Sequence, residues 1–241
     1  MSERKAGLQE VLGAHFWSQM NNIYTAIPCV VIAVRNNGVG AVVDIQPTLN
    51  QRFVDGRVSQ RVPILGVPVS FPVSSNAGVL FPVEIGTTGL AIFSMRSLDT
   101  WKASRGGNVT PPNRAKFDKS DAVFFPGIQP TPVNISRPQA HTFPHSTKDT
   151  VIFNNIGEPS EVEVRLKADG GVVINSNTNV SVNAPSINMN CDTFSLTAGS
   201  ANFNIGSTSW NGDFDGSGTY TFGGITYNTH KHSPSGDPPQ N

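Results

Sequence analysis

Charge is scarce in this sequence, and the two signs cancel. Only 14% of the 241 residues are charged, and 17 Lys and Arg residues balance 17 Asp and Glu residues. A neutral chain lacks the positive field with which general binders of nucleic acid or membrane surfaces attract their partners. We therefore expect no nucleic-acid partner.

Cysteine and long apolar runs are also scarce. The two cysteines, Cys29 and Cys191, form no CxxC metal knuckle, and both lie in alternating apolar runs, which favours buried free thiols. No apolar stretch approaches the ~20 residues of a membrane span. The N-terminus leads into an amphipathic pattern instead of the apolar core of a signal peptide, so we expect a protein made in a cytoplasm without a visible export signal.

Residues 1–24 contain the one convincing helical pattern. Apolar residues recur at the three- and four-residue spacing of a single helix face: Leu8, Val11, Leu12, Phe16, Met20 and Ile23. The face can pack on its own domain or on a partner. The partner is favoured, because a leading helix before a β-domain has little core of its own to cover.

Residues 25–125 have the pattern of short strands separated by turns. The predicted strands are 29–34, 40–46, 62–71, 79–84 and 89–95. Five short strands are typical of an oligonucleotide/oligosaccharide-binding (OB) barrel. Such barrels often bind single strands, and the cations and rings for this would be Arg52, Arg57, Arg61, Phe53 and Phe71. Without a basic excess, solvated arginines and core phenylalanines are the favoured reading.

Residues 126–150 carry five prolines, which predicts an extended connector. His141 and His145 lie inside it. Their H-x3-H spacing suits zinc on a helix, and the prolines exclude a helix, so we interpret both as ordinary loop residues.

Residues 151–222 are predicted to form a shaft, because a seven-residue pattern of apolar residues repeats within this segment. Of the 34 charged residues only five follow residue 169, and Asn, Ser, Thr and Gly make up 28 of the 51 residues from 172 to 222. Within this polar stretch, positions one, three and five of four successive heptads are all apolar: Val180, Val182, Ala184, Ile187, Met189, Cys191, Phe194, Leu196, Ala198, Ala201, Phe203 and Ile205. Apolar residues at these three positions do not fit a helix face, so each unit is a five-residue strand followed by a two-residue corner.

Such short strands cannot enclose a core within one chain. Three chains that wind together can, because each strand is then flanked by strands of the other chains and no edge stays open. The sequence therefore predicts an intertwined homotrimeric β-helix, with the apolar positions on its axis.

Residues 223–241 contain His230 and His232, which point to the same side of an extended strand. In one chain they would be a weak pair. In a parallel trimer six imidazoles converge on the axis, and six nitrogen ligands suit an octahedral ion better than tetrahedral zinc. The sequence thus predicts a metal-binding tip.

Several motifs in this order resemble the membrane-piercing central spike proteins at the tail tip of contractile-tailed bacteriophages. They are Gly89-Leu90-Ala91-Ile92-Phe93, the run from Arg96 to Trp101, the run from Asp121 to Gly127, the run from Val164 to Gly171, and His230-Lys231-His232. The resemblance implies an all-β fold with an OB-containing base, a trimeric β-helix and an apex where His230 and His232 bind iron, one ion per trimer. It also implies a place at the tail baseplate tip of the virion, made in the host cytoplasm, with a baseplate hub protein at the base.

The function that follows is mechanical: a rigid spike driven through the host outer membrane by sheath contraction, and not an enzyme. Some relatives carry a lysozyme domain between base and shaft, but the connector at 126–150 is too short for one. Two alternatives stay open. One is a β-helical polysaccharide depolymerase that uses Asp213 and Asp215. The other is a receptor-binding tail fibre tip.

Overall fold

The computed structural model describes residues 7–20, 23–35, 42–53, 55–133, 140–209, 211–212, 219, 221–222 and 225–226. Its helices are α1 (Leu8–Met20) and α2 (Asp99–Lys102), with one 3-10 turn at Thr131–Val133. Its strands are β1 (Ala26–Arg35), β2 (Val42–Pro47), β3 (Gln51–Arg52), β4 (Val58–Ser59), β5 (Ile64–Pro68), β6 (Thr88–Phe93), β7 (Ala122–Pro126), β8 (Thr150–Asn154), β9 (Val162–Leu166), β10 (Val172–Ser176), β11 (Thr221–Phe222) and β12 (Ile225–Thr226). The described chain is thus mostly β, as predicted.

The base is a five-stranded antiparallel sheet that curls toward closure. Its strand order is β5-β2-β1-β6-β7, so β5 and β7 are the two edges. The edges meet just beyond β5, where Val69 forms a parallel bridge with Phe124 and Ser70 donates its N–H to the Phe124 carbonyl at 2.8 Å. This is the partly closed barrel that an OB-like base predicts.

Alternation along each strand builds the core inside this sheet. Apolar side chains two residues apart face inward, as the pleat requires. The buried set is Cys29, Val31, Val43, Ile45, Ile64, Val67, Val83, Ala91, Phe93, Ala122 and Phe124. Gly89 allows β6 and β7 to approach closely, because a Cβ there would overlap the Phe125 carbonyl oxygen and the Phe124 ring.

Two register shifts bend the sheet, and Asp44 lies at both. The pairing of β1 with β2 shifts between Val31 and Ala33, and that of β2 with β5 shifts next to Asp44. Asp44 accepts two hydrogen bonds from Arg35, at 2.7 and 2.8 Å, and one from the N–H of Gly66 at 2.8 Å. Gly66 has a φ of +66°, a backbone conformation that favours glycine. Because the Asp44 carboxylate accepts the N–H of Gly66, it fixes a bulge that curves the sheet.

Asp44→Asn is expected to lower the free energy of unfolding by about 1–3 kcal/mol, because it weakens charge-assisted bonds to a buried carboxylate. Hydrogen bonding from Arg35 holds the pKa of Asp44 below its usual range. A depressed folded-state pKa means that this stabilisation is present above about pH 4 and is lost as the pH falls through the lower folded value. Urea unfolding at pH 7 and pH 2.5 measures it, and the difference between wild type and variant should shrink at pH 2.5. Asp55→Asn is the control, since its ion pair with Arg57 is exposed; an equal loss in both variants would contradict the role of Asp44.

The structure confirms the predicted N-terminal helix and contradicts one predicted strand. A helix at 8–20 is confirmed, but no residue of α1 is buried. The predicted strand at 79–84 is wrong: this segment is irregular, and Val83 alone of it reaches the core. The fifth strand of the sheet is β7, whose Phe124 is fully buried in the core.

Residues 150–176, where the shaft was predicted to begin, pair within one chain. They form the antiparallel sheet β10-β9-β8. A tight turn joins β9 to β10, with Lys167 donating its N–H to the Gly171 carbonyl at 2.8 Å and Gly170 donating to Lys167 at 3.0 Å. Such short connections favour local antiparallel pairing over pairing between chains.

The chain divides into two compact units, Met1–Ser181 and Val182–Asn241. In the second unit, residues 182–209 form no strand in the single chain, and β11 pairs with β12 in antiparallel orientation. In the part of the chain that is described, no helix has the length and apolar character needed to cross a membrane.

Candidate functional site

The predicted metal ligands of the tip, His230 and His232, lie outside the described residues, and so do Asp213 and Asp215 of the alternative enzyme reading. The iron site therefore stays a prediction. Three other groups of residues lie in the described part of the chain and bear on function: the apolar repeat, the base arginines and a buried polar cluster.

The apolar repeat is fully exposed in the single chain. Its large side chains have between 55% and 75% of their surface accessible: Val180, Val182, Ile187, Met189, Phe194, Leu196, Phe203 and Ile205. Eight large apolar side chains left exposed in one short segment indicate an interaction site.

The base arginines and phenylalanines are engaged with neighbours in their own chain. Arg57 pairs with Asp55 at 2.6 Å, and its guanidinium lies 5.3 Å from the centre of the Phe53 ring. Arg61 donates to the Leu49 carbonyl at 3.2 Å. Phe71 packs against the barrel core as expected, but the expectation of a core position is wrong for Phe53, which is exposed. That the base binds no nucleic acid stays a prediction.

The two thiols differ in their surroundings. Neither is in a disulfide. Cys29 is buried in the barrel core, and burial raises the pKa of its thiol to about 11, which makes it unreactive at neutral pH. Cys191 is exposed in the single chain, so the burial predicted for both cysteines is confirmed for Cys29 alone.

A cluster of buried polar side chains lies on one face of the β8–β10 sheet. Glu161 immediately precedes β9 and Glu163 lies two residues on, so both point to the same side of the strand. His141, from the segment before β8, packs over them with its ring 4.7 Å from that of Phe153. The three are almost completely buried, at 6% exposed for His141, 0% for Glu161 and 1% for Glu163.

Hydrogen bonds keep Glu161 ionised despite its burial. Burial on its own would raise the pKa of Glu161, but the N–H groups of Thr142 and Gly157 donate to its Oε2 at 2.8 and 2.7 Å and lower the pKa below the usual value. Its Oε1 lies 3.3 Å from Nδ1 of His141. Glu161 thus ties the segment at 141–142 to the turn before β9.

Sequence reasoning missed this cluster. The H-x3-H pair was dismissed because no helix could present it, and His141 and His145 indeed lie on irregular backbone. The ligand atoms of His141, Glu161 and Glu163 nevertheless all lie within 4.8 Å of one another. The available signal was the alternation Glu161-Val162-Glu163 at the start of a strand, which places two carboxylates on one face.

Residues 27–127 match the family model described as the phage protein Gp138 N-terminal domain. The matched segment runs from the start of β1 to just beyond β7 and so covers the curled sheet. No curated protein sequence matches the chain. The match supports a phage structural protein related to the tail or baseplate, and with it a virion-associated location.

Proposed function

We propose that this chain is the central spike at the tip of a contractile phage tail, and that it pierces the host outer membrane when the sheath contracts. Its working form is a homotrimer with a barrel base, an intertwined β-helical shaft and an iron-bound apex. The work is mechanical, so no catalytic residue is assigned. The matched base domain supports the tail or baseplate assignment.

The observation that carries the proposal is the exposed apolar repeat. In a single chain Leu196, Phe203 and Ile205 are each more than half exposed. Burial of apolar surface lowers the free energy by about 25 cal/mol per Å², so these side chains favour a partner that covers them. Polar residues such as Ser195 and Asn204 alternate with them, so one face of the segment is apolar and the other is not. Two further copies of the same segment, each with the same two faces, would close a dry axis and leave the polar faces in water.

The helix α1 supports docking of the base on a baseplate hub. It is exposed along its whole length in the described chain, and Leu8, Leu12 and Phe16 each have more than half of their surface accessible. Its first polar contact is local, since Glu10 accepts the N–H of Gly7 at 3.1 Å. The apolar helix α1 is therefore the part of the base that a hub would cover on docking.

Deletion of residues 1–24 is expected to leave the shaft trimeric and to reduce incorporation of the chain into phage particles several-fold. Particles that lack the spike should still adsorb to cells but should not open the outer membrane. Immunoblots of purified particles measure incorporation, and uptake of a hydrophobic dye by intact cells measures piercing.

A deletion of residues 1–6, which leaves α1 whole, is the control for this experiment. Normal incorporation of the 1–24 deletion would refute the docking role of α1. Normal dye uptake with particles that carry no spike would refute piercing as the function.

A further inference from the structure

The cluster of His141, Glu161 and Glu163 has an unbalanced charge. Of the two buried carboxylates, that of Glu163 lies near a guanidinium, that of Arg165, whose Nε is 3.6 Å from Oε1 of Glu163. That distance is too long for a hydrogen bond, and Nε of Arg165 is buried with no hydrogen-bond partner in the described chain. The two carboxylates and this one guanidinium leave a net negative charge in the cluster, and a buried charge is costly unless a cation compensates it.

A further buried atom in the cluster has a lone pair to offer. Oε2 of Glu163 is buried without a hydrogen-bond partner among the described residues. The other oxygen of Glu163 accepts from Nδ2 of Asn175 at 2.8 Å, which orients the carboxylate.

The distances fit a small transition-metal ion. Zinc binds histidine nitrogen and carboxylate oxygen at about 2.0–2.2 Å, so two such ligands at a tetrahedral angle stand about 3.4 Å apart. Nδ1 of His141 and Oε1 of Glu161 are 3.3 Å apart, and ligand atoms of His141, Glu161 and Glu163 all lie within 4.8 Å of one another.

We propose that His141, Glu161 and Glu163 bind one divalent transition-metal ion per chain, of the zinc class, with one water completing a four-coordinate set. Nitrogen and carboxylate donors in a buried set suit an ion of this class. The ion joins the segment at 141–145 to the β8–β10 sheet and balances the buried carboxylates.

This site is complete within one chain, so it depends neither on the spike function nor on the apical iron. The test uses the full-length chain with His230→Ala/His232→Ala, so that the predicted apical ligands contribute no metal. The protein is dialysed against Zn²⁺, washed by gel filtration and analysed for metal, with wild type measured in parallel. We expect close to one zinc per chain and a higher melting temperature with zinc than without.

Two variants and one control decide the assignment. Glu163→Gln and His141→Ala should weaken zinc binding at least about tenfold, as loss of a ligand does. Glu158→Gln, in the exposed turn before the cluster, should bind zinc like the parent. Protein that retains no zinc, or equal retention in Glu163→Gln, overturns the proposal.

A second measurement covers the case in which the variants do not fold. Cobalt(II) added to the otherwise unchanged cluster should give the intense visible absorption of a four-coordinate site, and zinc should displace it. Weak absorption, typical of hexa-aqua cobalt, would overturn the proposal without any change to the cluster.

Discussion

Leu196→Asp is expected to abolish the trimer. In the proposed shaft three copies of position 196 meet on a dry axis, where three carboxylates would be buried without partners. Phe203→Asp should have the same effect one heptad further on. Sedimentation velocity should show both variants at the mass of one chain, a complete change of state instead of a modest loss of stability.

Ser195→Asp is the matched control, since residue 195 lies beside Leu196 and points outward in the proposed register; it should stay trimeric. Cys191 provides an independent test of the trimer, because its thiol is exposed in the single chain but lies at an inward position of the repeat. Its thiol should be protected in wild type and should react with a disulfide reagent in Leu196→Asp. Intact trimers in both inward variants would show that the register is wrong.

Loss of bound iron is the expected result of His230→Ala/His232→Ala. Six neutral imidazoles from three chains suit one octahedral ion, so wild type should contain close to one iron per three chains. The variant should lose that iron and remain trimeric, because the shaft is proposed to be held by its apolar axis. Elemental analysis of protein purified without chelator, together with light scattering, measures both properties.

Lys231→Ala is the control for the apex, since alternation turns residue 231 away from His230 and His232; it should keep its iron. Undetectable iron in wild type, or one iron per chain that the double variant loses, would contradict the proposed apex. The zinc proposed at His141 is distinguished from this ion because it should survive the double variant.

The sequence predicted those parts of the fold that repeat locally. Strand alternation identified β1 and β2 and most of β6, and the spacing of Leu8, Leu12 and Phe16 identified α1. It failed at 79–84, where an apolar run has a strand's composition but only Val83 contacts the core. Composition cannot tell which apolar run completes a barrel, because that choice depends on contacts between distant strands such as that of Val69 with Phe124.

The buried cluster was harder to predict for the same reason. Each of its residues had an ordinary local interpretation: His141 in a proline-rich loop, and Glu161 and Glu163 at the start of a strand. Their meeting depends on the turn at 155–160 and on Thr142 and Gly157, which donate to one carboxylate oxygen. Neither the geometry of the turn nor the meeting of these groups at one carboxylate produces a periodic pattern in the sequence.

The mass of the purified full-length protein in solution tests the central claim most directly. The account predicts a single species at three times the chain mass of 25.7 kDa by light scattering, unchanged on dilution to micromolar concentration. An intertwined trimer cannot dissociate without unfolding its shaft, so dilution should not release monomer. A monomer at 25.7 kDa with a stable fold would contradict the account, because the apolar repeat would then have no partner chains to cover it.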